Sequence, residues 1–237
     1  MEVFIKRHFY LLCMLPGLGD WGSVPPVSKQ NLLTVVTESE GPVDIVQTLL
    51  LSEDLLQREA VLAGEREPGQ ADLAVLSLKQ ANDEEPLPLF LRTDRKEAGP
   101  SLDYPVAADS IWHNYFQHAF EIGRLYRTPF LQAWVGFEVG MRNALAGTRA
   151  EALNLDPGPY MVAQGLGDSE VPFESIVADW TAALNPLEAL EVLERARWNW
   201  VANREGWYSF SNDEVAAYTA KIMILHRWRK IAPEEKQ

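Results

Sequence analysis

The sequence predicts a mainly α fold: a helical bundle over residues 106–237, preceded by a less regular N-terminal part over 1–105. Three observations predict it. Apolar residues recur at helical spacing through most of the C-terminal half, and that period is the primary signal of a helix. Helix starts are announced by capping side chains and by prolines at the first helical position. The composition, 47% hydrophobic and 23% charged, is that of a chain that buries a core rather than one that stays disordered.

The apolar run Phe9–Leu15 reads as a short strand or helix, and periodicity does not decide between them. Cys13 lies within it and is expected to be buried as a small hydrophobe. Lys6 and Arg7 ahead of the run hint at a secretory leader. Pro16-Gly17 closes the run without a small-x-small cleavage site, so the expectation is that none is present. With one cysteine no disulfide can form within the chain, which points to a reducing, cytoplasmic setting. Val43–Leu62 reads as one or two helices, with Ser52 a possible restart. Residues 64–105 are rich in Pro, Gly and acids, including Asp83-Glu84-Glu85-Pro86 and the turn-like Ala98-Gly99-Pro100. They predict a long connection with one short helix near Leu73–Gln80, and the domain boundary is placed at its end.

Beyond the boundary the signals sharpen. A helix over about 109–126 carries Trp112, Phe116, Phe120 and Ile122. Thr128-Pro129 opens a long helix to about Leu153, with Trp134, Phe137, Met141, Leu145 and Thr148 along one side. Phe173, Ile176, Val177, Trp180 and Leu184 form the next stripe. Asn185-Pro186 opens a helix with Leu190, Leu193, Ala196 and Trp200. Asn185 with Glu188, and Ser211 with Glu214, have the spacing of a capping box. The last helix carries Val215, Tyr218, Ile222, Leu225 and Trp228, with Arg227, Arg229 and Lys230 where positive charge suits its C-terminus. Trp134, Phe137, Met141, Trp180, Tyr218, Leu225 and Trp228 are expected to be buried together in one helical unit.

A net charge of −13 argues against nucleic acid as a partner and against docking on anionic lipid. No apolar stretch approaches the roughly 20 residues that span a bilayer, so no direct membrane insertion is expected. The stretch 190–231 is locally basic, with five acids against seven bases.

Chemical motifs are weak. Gly17-Leu18-Gly19-Asp20-Trp21-Gly22 matches G-x-G-x-x-G, but Pro25-Pro26 stands where a phosphate-binding helix would begin, so a surface turn is expected. His113 and His118, at i, i+5, point about 140° apart on a helix and cannot share a metal. His118 with Glu121 could supply two ligands, too few for a site. Glu188, Glu191 and Glu194 read as a solvated face. No catalytic residue, cofactor or metal is therefore expected. Trp198, Trp200 and Trp207 beside Arg195, Arg197 and Arg204 could be core or a protein-binding cluster, since Trp and Arg are the enriched anchors of interfaces. Arg195, Arg197, Trp198, Arg204 and Trp207 are the candidate protein-interaction residues. Arg142-Asn143 reads as a polar pair satisfied by a neighbouring helix.

Phe130-Leu131-Gln132-Ala133-Trp134, Phe137-Glu138, Met141-Arg142-Asn143-Ala144-Leu145 and Arg149-Ala150 together resemble a pattern of the bacterial DUF2764 family, met alongside V-type ATPase subunits in bacterial gene clusters. Phe210-Ser211-Asn212-Asp213-Glu214 through Tyr218, Lys221 and Arg227-Trp228 resembles the family's C-terminal helix, and Phe9-Tyr10-Leu11-Leu12 to Leu15-Pro16 its opening run. The family-motif residues are thus Trp134, Glu138, Arg142, Asn143, Tyr218, Arg227 and Trp228. The resemblance implies a helical fold like that of the V-type ATPase C/d subunit. It also implies a non-catalytic accessory or coupling role that binds the central stalk or membrane rotor ring, cytoplasmic and peripheral to the membrane through that complex. A generic helical adaptor or scaffold is the alternative.

Overall fold

The computed structural model describes residues 7–92 and 104–231; Lys6 and the turn expected at Ala98–Pro100 lie outside them. The described residues form nine α-helices, four short 3-10 helices and no strand. The helices are α1 Phe9–Met14, α2 Lys29–Glu38, α3 Val43–Leu62, α4 Leu78–Ala81, α5 Ala107–Leu125, α6 Pro129–Ala152, α7 Phe173–Ala182, α8 Pro186–Ala202 and α9 Asn212–Ile231. The fold class is mainly α. None of these helices is long and apolar enough to cross a membrane.

The chain divides into two compact units, and the division does not fall at residue 105. One unit is residues 51–177. The other joins residues 1–50 to 178–237. Trp134, Phe137 and Met141 therefore belong to one unit, and Trp180, Tyr218, Leu225 and Trp228 to the other.

In the discontinuous unit α1 resolves the strand-or-helix question in favour of one short helical turn pair, closed by extended Leu15 before Pro16. Ser28 caps α2, its hydroxyl accepting from the Asn31 N–H at 3.1 Å. This helix is not among the sequence expectations; Leu32 and Val36, four apart, are its buried face. Asn185 caps α8 as expected, accepting from the Glu188 N–H at 3.0 Å, while Glu188 reaches back to the Leu184 N–H. Leu184 and Leu190 are exposed, contrary to their assignment to apolar stripes, because Leu184 lies beyond the end of α7 and Leu190 on the outer side of α8. α9 is buried on every side from Glu214 to Leu225, wider than the single stripe the period predicts. Its side chains also order the Pro- and Gly-rich stretch between α1 and α2. Tyr218 Oη donates to the Pro16 carbonyl at 2.8 Å, and His226 Nε2 to that of Val27 at 2.8 Å.

In the unit of residues 51–177, α5 and α6 pack as a helical hairpin joined at Tyr126–Thr128, with Arg127 at φ 50° making the turn. Pro129 sits at the first helical position of α6, but the Thr128 side chain forms no cap and turns instead to the Tyr126 carbonyl. α3 runs unbroken through Ser52. Beyond it, the fully buried Asp54 carboxylate accepts from the backbone N–H groups of Ala74, Val75 and Leu76 at 2.6–3.1 Å. That nest pins the connection just ahead of α4, which opens on a complete capping box of Ser77 and Gln80. The long helix α6 approaches residues 161–173 closely. The Asp168 N–H donates to the Gly136 carbonyl at 3.0 Å, and a Cβ on Gly140 would overlap the Phe173 ring. Only glycine admits backbone and ring this near.

Candidate functional site

The two groups of residues singled out in the sequence occupy different places, and each is built by its own unit. In the unit of residues 51–177 the family-motif residues of α6 face inward or along the helix. Trp134 is buried against Phe137, ring centroids 5.9 Å apart. Asn143 brackets a single residue: its Nδ2 donates to the Val162 carbonyl and its Oδ1 accepts the Val162 N–H, both at 2.8 Å. Arg142 donates to Asp109 at 2.8 Å and lies 5.0 Å over the Trp112 ring, whose Nε1 donates to Glu59 at 2.6 Å. Glu138 lies half-buried on the same helix.

Beside Asp109, Tyr104 Oη and His113 Nδ1 are 3.0 Å apart. Burial holds His113 below the ordinary histidine value, so its ring is neutral near pH 7 and Nδ1 can accept the Tyr104 proton. Burial raises Tyr104, opposed by its hydrogen bond to the Ala163 backbone and reinforced by the Asp109 charge. His118 is stacked on Phe90 at 3.8 Å, and no group of three or more His, Cys, Asp or Glu among the described residues could hold a metal ion.

In the other unit, α8 and α9 pack the tryptophans and arginines with one element the sequence reading passed over. Trp21, from the G-x-G-x-x-G segment, is the hub. That segment is a turn, and the next helix begins only at Lys29. Trp21 lies 5.1 Å from Trp228, 6.0 Å from Trp198, and has Arg195 5.2 Å over its face. Lys221 stands between Trp198 at 4.7 Å and Trp207 at 5.3 Å and pairs with Glu205. Glu194 corrects the solvated-face reading. It is 2% exposed, and Arg197 and Arg227 both donate to its Oε1 at 2.9 Å, while its buried Oε2 has no hydrogen bond among the described residues. Its relatives keep the expected character: Glu188 caps, and Glu191 pairs on the surface with Arg195 at 2.7 Å.

Of the candidate interaction residues, Arg197 and Trp198 are half-buried, Arg197 on Glu194 and Trp198 on Trp21 and Lys221. Arg195, Arg204 and Trp207 reach solvent, Arg204 lying 4.3 Å over Trp200. Of the family-motif residues here, Tyr218 holds the Pro16 carbonyl, Arg227 holds Glu194, and Trp228 stacks on Trp21. Burial pushes the Tyr218 hydroxyl well above the ordinary tyrosine value, so it stays a donor.

Two features carried no local sequence signal. Cys13 is exposed, not buried, because α1 turns Leu11 inward and leaves Phe9, Tyr10, Cys13 and Met14 outside. Glu214 does not close a capping box on Ser211. Its carboxylate reaches further back, to the N–H groups of Tyr208 at 3.0 Å and Phe210 at 2.6 Å and to the Ser209 hydroxyl. Compared with known proteins, the chain matches no family model, no curated protein and no solved structure.

Proposed function

We propose that the protein is a non-catalytic accessory or coupling subunit of a bacterial V-type ATPase, a helical relative of the C/d subunit that binds central-stalk or rotor-ring components at the cytoplasmic face of the membrane. One observation carries the reading. The polar residues on which the resemblance rests are internal braces: Asn143 on Val162, Arg142 on Asp109, Tyr218 on Pro16, Arg227 on Glu194. Residues spaced along two segments and each joining one element to another are what a shared fold requires. That favours reading the pattern as one of common architecture. A coupling role asks for stiff helices and contact surfaces, and for no chemistry.

The direct test is a pull-down with the tagged full chain from native membranes in mild detergent at low salt. V-type ATPase subunits should be enriched over a control bait. If none is, the coupling reading fails and the reading as an adaptor unrelated to the ATPase takes its place. That alternative draws its own support from the exposed aromatics Trp207 and Tyr208, which a binding protein of any kind could use.

A further inference from the structure

We propose that Tyr104 and His113 form a proton-operated latch, which holds the turn at 163–167 against α5 while the His113 ring is neutral and releases it when the ring takes up a proton. The latch lies within the unit of residues 51–177 and does not depend on which complex the protein joins. Its centre is one phenol oxygen. Tyr104 Oη is 3.0 Å from His113 Nδ1 and is also hydrogen-bonded to the Ala163 backbone. The Ala163 bond favours the phenolate, as an N–H donor to the oxygen does, so here Ala163 donates and Tyr104 accepts. The phenol has one proton to give, and with Ala163 on its acceptor side that proton goes to His113. Only a neutral ring with its proton on Nε2 can receive it. A ring protonated on Nδ1 brings a second donor to an oxygen that already holds one, and the hydroxyl proton loses its acceptor.

The latch restrains a strained residue. Ala163 is buried and left-handed, at φ 47° and ψ 40°, a conformation that a residue with a Cβ keeps only where its surroundings impose it. Its flanks are held separately, both by α6. Asn143 brackets Val162 on one side, and on the other the Asp168 N–H donates to the Gly136 carbonyl at 3.0 Å. Neither anchor uses a titratable group. Between them lie residues 163–167, with glycine at 165 and 167, and release is confined to that stretch.

Acid is the trigger because of where the ring sits. Burial holds His113 below the ordinary histidine value, so a ring freed into water takes up the proton more readily than a latched one. By linkage the closed form is fully favoured above about pH 6.5 and loses ground as pH falls through the latched value. The incoming proton comes from solvent and lands on Nδ1, while burial keeps the Tyr104 hydroxyl protonated throughout. The charged groups around the ring among the described residues are engaged elsewhere. Asp109, one turn earlier on α5, pairs with Arg142 of α6 at 2.8 Å, and Glu59 of α3 accepts from the Trp112 Nε1. Arg92 is tied through its backbone carbonyl to Asn114, and residues 161–166 contain no ionisable side chain. The histidine supplies the charge change and the left-handed turn is the element it biases.

The experiment is amide hydrogen exchange by NMR on the full chain from about pH 7.5 to about pH 5, with protection taken relative to the unfolded chain at each pH. The Ala163 amide is the latch donor and reports on it directly. Its protection should fall several-fold toward the acid end, with the midpoint at which the His113 ring resonances titrate, while Val162 and Asp168 keep theirs. Tyr104→Phe removes the bond and should leave Ala163 weakly protected at every pH. His113→Asn puts an amide oxygen near the place of Nδ1 and cannot titrate, so the pH dependence should vanish. Ala163 protection that stays flat in the parent overturns the proposal. So does a fall that survives in His113→Asn, which would trace to another acid, or a fall shared equally by Val162 and Asp168, which would be acid unfolding of the unit. The parent's exchange and ring titration decide between these outcomes even where a variant does not fold.

Discussion

Glu194 is the residue whose surroundings differ most from its sequence context. On the surface of α8 it would repeat the pattern of Glu188 and Glu191; in the fold it is 2% exposed and shared by Arg197 and Arg227. Removing it takes from Arg197 and Arg227, themselves mostly covered, the carboxylate they share. Glu194→Ala should cost about 3–5 kcal/mol in a denaturant melt, the penalty of an uncompensated buried charge, and a loss near zero would mean the arginines re-solvate freely. Tyr208 makes the opposite case. Relieving its left-handed backbone by Tyr208→Gly should stabilise the chain by about 1 kcal/mol, read as a higher denaturation midpoint at unchanged slope. His113 sets a pH dependence. Its folded value lies below the ordinary histidine value of about 6.5, so as pH falls the unfolded chain takes up the proton first. Stability is therefore full above about pH 6.5 and declines as pH drops through the folded value. The His113 ring resonances should titrate with a midpoint below that of a free histidine, and His113→Gln should flatten this part of the acid slope.

At the scale of elements, what was legible follows from whether the signal is local. α5, α6, α8 and α9 declare themselves because stripes such as Trp134, Phe137 and Met141, and caps such as Asn185 with Pro186, act within a few residues of where they are written. The stretch after α3 reads as a connection with one short helix because its organiser, Asp54, lies about twenty residues upstream of the amides it binds. The turn at 17–22 looked inert because the partners of Trp21 come from α8 and α9. α6 shows both kinds of constraint. Its glycines weaken it as an isolated helix by about 1 kcal/mol each, so Gly140→Ala would help a free peptide. In the protein the same change should destabilise, because the new methyl displaces the Phe173 ring, and a stabilised Gly140→Ala variant would contradict the packing described. Asn143→Ala leaves both backbone groups of buried Val162 unpaired and should cost about 2–4 kcal/mol, and Asn143→Asp should not restore full stability because it sets a carboxylate oxygen against the Val162 carbonyl.

Over the whole molecule, charge and chain path are both uneven. Residues 51–177 hold 20 acids against 10 bases, while 1–50 and 178–237 together hold 14 against 11. The acidity noted in the composition therefore belongs chiefly to one unit. Its self-repulsion should be screened by salt, the Debye length shrinking from about 30 Å at 0.01 M to about 8 Å at 0.15 M. The thermal midpoint should rise over that range, and a fall would mean that favourable ion pairs outweigh the repulsion. Composition places a boundary at 105 because a Pro- and acid-rich stretch marks a connection without saying which segments meet, and the compact units divide elsewhere. Nothing local tells residues 1–50 that they will be completed by 178–237. That discontinuity has a consequence during synthesis. Residues 51–177 are complete, and free to collapse, while the helix buried on every side, α9, has yet to be made. At about 5–20 residues per second residues 1–50 wait roughly ten to forty seconds for the rest of their own unit. Over that interval the nascent chain offers chaperones residues 1–50 without their complement, and a ribosome stalled before Asn212 would leave one unit built and the other unable to close.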